Sequence, residues 1–428
     1  MKRHITLPNA IALAVSLVVG TGIVSLMGLA LEVGGPHGSI FGWLVAALVI
    51  TPFLVIFSHL SGRSQNKNGL SDCAAEALGE KVGRGFHLLL LVLIFILLPV
   101  IALIGATYLQ EALGLTETWR SFLAIALLFA ATLINLLGAC KASLLNKLSV
   151  TILLLMLLSL ILYYHNYAVL GIQALIYPEE NSVPIDLSHV WKVAALVIFA
   201  FLGWENVMLA APEMKNPQRT IPLTFAGSFV IVALLYLLLA LIMLGASIAG
   251  LKTTGLAGMA ILFKGMPGGF ILSASIGFIS LANASSWMYG LSRTIQTSSQ
   301  KGELPVALSE VSRTGVPCFA LLTIYFICSL MLFACYSAKC SISNLFLIVV
   351  QFELVIYGIS ILTFVKLFKG WKVWVTSAFA SIAMIFLVSG FSLAMIAPIS
   401  VVLLGAFQPW RKGERATKLT RHVKECSS

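Results

Sequence analysis

Runs of about twenty apolar residues recur along the whole chain, and each is the length an α-helix needs to cross a hydrocarbon core ~30 Å thick. The segment LLLLVLIFILLPVIALIG, Leu88 to Gly105, is typical. With 59% hydrophobic and only 10% charged residues, the chain lacks the roughly one-quarter charged fraction with which soluble domains cover their cores. Lipid is therefore its main solvent. Spans are expected at 7 to 31, 39 to 60, 85 to 110, 119 to 138, 146 to 166, 190 to 211, 221 to 250, 269 to 298, 318 to 337, 343 to 367, 372 to 390 and 391 to 409. The expected fold is all-α, a polytopic membrane protein of twelve transmembrane helices.

The net charge of +11 sorts by loop. Only Arg120, Lys192, Lys252, Lys264 and Lys339 of the 27 lysines and arginines fall on one side of the membrane, which puts both termini in the cytoplasm by the positive-inside rule. The basic excess, including the tail Arg411 to Lys424, thus suits anionic lipid headgroups, and nucleic acid is not an expected partner. Met1-Lys2-Arg3-His4 precedes an apolar run too long for a cleavable signal, so the first helix is expected to stay. The stretch from Gly69 to Gly83 reads as a short amphipathic surface helix. None of the seven cysteines forms a CxxC pair, and neither a metal site nor a cofactor is expected.

Two spans contain features that weaken a lipid-crossing helix. The first carries Gly20-Thr21-Gly22 at its centre, although each glycine costs a helix ~1 kcal/mol relative to alanine. The sixth carries Gly203-Trp204-Glu205, and a glutamate at mid-membrane costs at least ~2.5 kcal/mol on insertion scales. Paired interruptions five helices apart are the trace of an inverted-repeat transporter whose broken helices hold substrate. An unwound segment exposes N–H groups at the start of one half-helix and C=O groups at the end of the other, which together suit a zwitterion. A second membrane acid, Glu353, lies in the tenth span within IVVQFELVIYG.

Longer motifs carry a family resemblance across most of the chain. GTGI at Gly20 to Ile23, NGLSDCAAEALGEKVG at Asn68 to Gly83, INLLGACKAS at Ile134 to Ser143, FLGWENV at Phe201 to Val207, PEMKNPQRTIP at Pro212 to Pro222 and SRTIQTSSQKGELP at Ser292 to Pro305 resemble the amino acid/polyamine/organocation superfamily. That resemblance implies a LeuT-like five-plus-five inverted repeat with helices 1 and 6 broken, plus two extra helices. The corresponding units are 1–166, a loop 167–189, 190–367, the extra pair 368–410 and a tail 411–428. It also implies that Gly20, Thr21, Gly22 and Ile23 hold the substrate carboxylate and that the backbone of Phe199, Ala200, Phe201 and Gly203, beside Trp204, takes the amino group. Phe199 matches an aromatic gate. Trp287 matches the helix 8 aromatic that stacks on substrate in arginine/agmatine exchangers.

Two departures bear on substrate and coupling. Helix 5 reads LSVTILLLMLL, Leu148 to Leu158, where several proton-coupled members carry a lysine, and helix 3 is apolar where members taking cations offer polar groups. The expected function is therefore a secondary active transporter of the plasma membrane, the inner membrane of a bacterium, that exchanges or exports neutral hydrophobic amino acids by alternating access. Glu205 and Glu353, with Ser285 and Ser286 as sodium-site candidates, are expected to couple transport to protons, sodium or a counter-transported amino acid. The alternative within transport is an antiporter for basic amino acids or polyamines. A channel remains a third class, and an intramembrane enzyme lacks visible machinery because neither HExxH nor GxSxG occurs.

Overall fold

A computed structural model describes residues 5–63, 69–137, 139–177, 186–300, 302, 304–312, 315–389 and 395–407. The basic tail, the segment 178–185 and the link at 390–394 lie outside the described residues. Within hydrocarbon every backbone N–H and C=O must be satisfied inside its own segment, which leaves helices as the solution for runs this apolar. Sixteen α-helices result among the described residues.

The first span is α1 (Leu7–Val18) followed, across a break, by the start of α2 (Gly22–Arg63). At Gly35 (φ 62°, ψ −170°) the helical run is kinked, and its 42 residues, too many for one crossing, divide there into the second half of helix 1 and the second span. Next come α3 (Leu70–Leu78), α4 (Glu80–Leu113), α5 (Trp119–Leu136), α6 (Ala139–Tyr163) and α7 (His165–Ile176). The sixth span is α8 (Leu187–Val197), a 3-10 turn over Ile198–Phe201, and α9 (Trp204–Ala210). After it follow α10 (Pro217–Ile248), α11 (Gly258–Lys264), α12 (Gly269–Gln300), α13 (Cys318–Ser337), α14 (Ile342–Leu367), α15 (Trp371–Val388) and α16 (Ile396–Phe407). Ten helices or helix runs are long and apolar enough to cross a membrane, and α1 and α16 are shorter apolar helices.

The expected spans and the observed helices differ in three places. The stretch 167–189, expected as a loop, carries most of α7, which packs on α10; at twelve residues it is too short to span. A Cβ on Gly245 would collide with the Tyr167 carbonyl, so glycine there allows the close approach of α7 and α10. The link between α10 and α12 holds α11, a second non-spanning helix. The surface helix is shorter than expected: Gly79, at φ 96°, ends α3 and Glu80 already opens α4.

Burial separates an inner set of helices from an outer one. The apolar stretches of α14, α4, α2 and the α8–α9 run are mostly enclosed, whereas those of α6, α13 and α15 are mostly turned outward. Helices 1 and 6 are tied at one end by an isolated bridge. Ile5 N–H donates to the Glu213 carbonyl at 3.0 Å, and Lys215 N–H donates to the Ile5 carbonyl at 2.9 Å. At the opposite end α11 lies on the second half of helix 1, where Gly255 N–H donates to the Gly28 carbonyl at 3.1 Å. A Cβ on Gly28 would run into the Gly255 carbonyl. Lys264 on α11 reaches Glu111 at the end of α4, 2.8 Å away. Helix 1 is therefore tied on both sides of its break, and helix 6 on the Glu213 side.

Candidate functional site: the cavity between the broken helices

Helix 1 stops at Val19, whose N–H closes the last turn on the Val15 carbonyl at 2.8 Å. It restarts at Gly22, with Ile23 N–H reaching the Gly20 carbonyl at 3.4 Å. A helix start leaves its first four N–H groups without intrahelical acceptors and carries the positive end of the helix dipole. In helix 6 the 3-10 turn ends at Phe201, Leu202 is extended and Gly203 sits at φ 109° before α9 begins. A side chain at that φ is strained, and a Cβ there would stand 3.0 Å from the Leu17 carbonyl of helix 1. The two breaks thus face each other because glycine occupies both.

Between them lies a cavity of about 100 Å³. Helix 1 lines it from Ser16 through Gly22, and helix 6 contributes Phe199, Leu202, Gly203 and Glu205. Apolar walls come from Leu97, Ile101 and Ile104 on α4, Val150 and Leu153 on α6, and Val349 on α14. Asn283 and Trp287 line it from α12, Asn146 and Ser149 from α6, and Glu353 from α14. No Lys, Arg or His is among these lining residues. A Cβ on Gly22 would stand 2.7 Å from the Phe199 ring, which in turn packs edge-on against Phe346 with centroids 4.7 Å apart.

The two glutamates have different surroundings. Glu205 accepts from its own helix start, Gly203 N–H at 3.2 Å, and from the Asn206 side-chain amide at 2.8 Å. Glu353 is 5% exposed, and its Oε2 has no hydrogen-bond partner among the described residues. The Thr21 hydroxyl, fully buried at the helix 1 break, is also without a partner there. A buried polar group left unpaired costs ~1–3 kcal/mol, so both residues keep unused hydrogen-bonding capacity at the cavity wall.

Of the residues singled out by sequence, Gly20, Thr21, Gly22, Phe199, Gly203, Trp287, Glu205 and Glu353 converge on the cavity. Ile23, Ala200, Phe201, Trp204, Ser285 and Ser286 do not line it. The Ala200 carbonyl accepts from the Tyr236 hydroxyl at 3.0 Å, Phe201 packs against Trp43 and Tyr236, and Trp204 is enclosed beside Phe225 and Phe229. Ser285 is engaged by Asn135 of α5, whose amide donates to its hydroxyl and carbonyl at 3.0 Å each. The wall residues that sequence reasoning passed over were legible as helix faces. Leu97, Ile101 and Ile104, or Asn146, Ser149, Val150 and Leu153, recur at three- and four-residue spacing, and Asn283 precedes Trp287 by one turn.

This pairing of broken helices invites comparison with known proteins, and residues 5–410 match the amino acid permease family. The chain belongs to that family. Membership makes it a multi-pass transporter of the amino acid/polyamine/organocation superfamily and not an enzyme. The methionine/branched-chain amino acid exporter YjeH of Escherichia coli is 24% identical over 55% of this chain and 55% of its own. The cadaverine/lysine antiporter of the same organism is 22% identical over 70% of this chain and 67% of its own. Among solved structures, MhsT in complex with L-phenylalanine superposes with a TM-score of 0.57 at 17% identity, covering 93% of this chain and 98% of that one. The fold is LeuT-like.

Proposed function

We propose that this permease is a secondary active transporter of neutral, hydrophobic amino acids, working as an exchanger or exporter by alternating access. The observation that carries the reading is the cavity at the facing breaks, with exposed backbone ends at the glycines and an apolar wall from α4 beside them. A zwitterion's carboxylate suits the N-terminus of α2 with the unpartnered Thr21 hydroxyl, and its ammonium suits the carbonyl end of the helix 6 turn. Leu97, Ile101, Ile104 and Val349 offer its side chain an apolar wall. Phe199 and Trp287 close over it, while the halves 1–166 and 190–367 rock about the site. The exporter YjeH, named for methionine and branched-chain amino acids, supports the same substrate class. By the positive-inside rule the Leu7 end of α1 and the basic tail face the cytoplasm of a plasma membrane, the inner membrane of a bacterium.

A second reading, a cationic amino acid or polyamine antiporter, is favoured by one observation: two glutamates and no cation in the cavity wall. Uptake of labelled leucine, methionine and arginine into proteoliposomes separates the two. Preloading with unlabelled leucine is expected to accelerate leucine and methionine uptake several-fold and leave arginine at background. Arginine uptake that exceeds both would refute the neutral reading.

A further inference from the structure

The cavity wall contains two carboxyl groups and no compensating cation, and they come from distant parts of the chain. Glu205 stands on α9 and Glu353 on α14, and both line the same cavity. The charged or titratable groups facing Glu353 are Glu205 and, one turn along α14, the Tyr357 phenol. From α4 it meets the apolar wall, from helix 1 the uncharged Val19 to Gly22, and from α12 Asn283 and Trp287. Phe53 and Phe57 of α2 cover Tyr357 with centroids 4.8 and 5.2 Å away. The Tyr357 hydroxyl, like Glu353 Oε2, has no hydrogen-bond partner among the described residues.

Hydrogen bonding divides the labour between the acids. Glu205 receives two N–H donors, which suits the ionised form of a carboxylate. Glu353 receives no donor at Oε2, and two uncompensated charges inside one cavity closed to water would cost several kcal/mol. Some positive charge must therefore accompany the pair whenever the cavity closes. Two species available to a transporter in water fit: a proton, or the ammonium group of a zwitterionic substrate whose carboxylate is compensated separately by the N-terminus of α2.

We propose that the cavity holds one exchangeable positive charge, a proton on Glu353 when empty and the substrate's ammonium when loaded, so that the protein exchanges a proton for an amino acid across the membrane. On loading, the Glu353 O–H bond breaks and its proton passes to water on that side. After release on the other side, a proton from water there forms the bond again and the carrier returns. No other reactant is needed, and one net positive charge crosses per cycle. This rests on the amino acid exchange proposed above and supplies its driving ion without a helix 5 lysine.

The test uses the full chain in proteoliposomes loaded with labelled leucine, with the membrane potential held at zero by potassium and its ionophore. Efflux is measured into medium of equal pH, into medium one unit more acidic, and into equal-pH medium containing unlabelled leucine. The gradient is expected to speed efflux and to support up to about a tenfold leucine ratio, one pH unit being worth a factor of ten in a one-for-one exchange. A luminal pH dye should acidify only when leucine is present. In E353Q the ratio of pH-driven to leucine-driven efflux should lose its acid stimulation, and E353D should retain it; taking the ratio within each variant cancels any change in turnover. Leucine exchange that ignores pH, acid stimulation that persists in E353Q, or stimulation by a sodium gradient in place of acid each overturns the proton assignment while leaving the proposed function standing. Absence of counterflow with every neutral amino acid overturns both.

Discussion

Adding one methyl group at Gly22 asks whether the facing breaks are a binding site or only a packing notch. A Cβ built there lies 2.7 Å from Cε1 and 3.1 Å from Cδ1 of Phe199. Optimal carbon contacts begin near ~3.5 Å, so the ring must retreat by roughly 0.8 Å. The ring is already packed against Phe346, whose centroid is 4.7 Å away in an edge-to-face pair worth ~0.5–1.5 kcal/mol beyond area burial, so any move disturbs that pair. Overpacking of this kind costs ~1–3 kcal/mol. Part of that is returned to global stability, because alanine restricts the unfolded chain more than glycine does, by ~0.4–1 kcal/mol. Phe199 lines the cavity, so the displaced ring is expected to reach the bound ligand as well. Gly22→Ala is expected to keep its melting temperature within a few degrees and to weaken leucine binding about 5- to 150-fold, the range that ~1–3 kcal/mol spans. Calorimetric titration of leucine into purified protein, alongside thermal unfolding of the same sample, reads both quantities. Unchanged affinity with intact folding would refute the reasoning, because it would mean that the ring moves without consequence for the site.

The helix 6 break and the start of α8 give two further expectations. Gly203→Ala puts a side chain at φ 109° and 3.0 Å from the Leu17 carbonyl, so unlike Gly22→Ala it should lower the melting temperature, by the equivalent of ~1–3 kcal/mol; an unshifted melt would count against the close approach of helices 1 and 6. Asp186, outside the membrane at the start of α8, is held below its ordinary carboxylate value by the Ser188 backbone N–H and then by the Ser188 hydroxyl. Since its folded value is the lower one, the cap is fully formed at neutral pH and is lost as pH falls through that lowered value. Hydrogen exchange of the first turn of α8 should therefore accelerate only below the ordinary carboxylate range, and acceleration beginning near neutrality would contradict the assignment.

How far sequence alone reached follows from which interactions are local. An apolar run must become a helix in lipid, because its backbone can be satisfied only within itself, so spans such as Cys318–Ser337 were legible to the residue. Glycines flanking Thr21 and a glutamate beside Gly203 were legible as breaks for the same reason: they weaken a structure that the solvent otherwise imposes. The short helices α7 and α11 were not, since neither is long enough to be dictated by the bilayer and both exist by packing, on α10 and on the second half of helix 1. Within the site, sequence placed Trp204, Phe201 and Ser285 near the breaks but could not tell which way each faced. Packing decided it: Trp204 and Phe201 turn into aromatic clusters, and Ser285 is claimed by Asn135. Bringing Glu353 into the same cavity as Glu205 is likewise a tertiary fact. Two membrane acids so far apart along the chain carry no local sign of each other, and only the packing of α14 against helices 1 and 6 gives them one cavity to share.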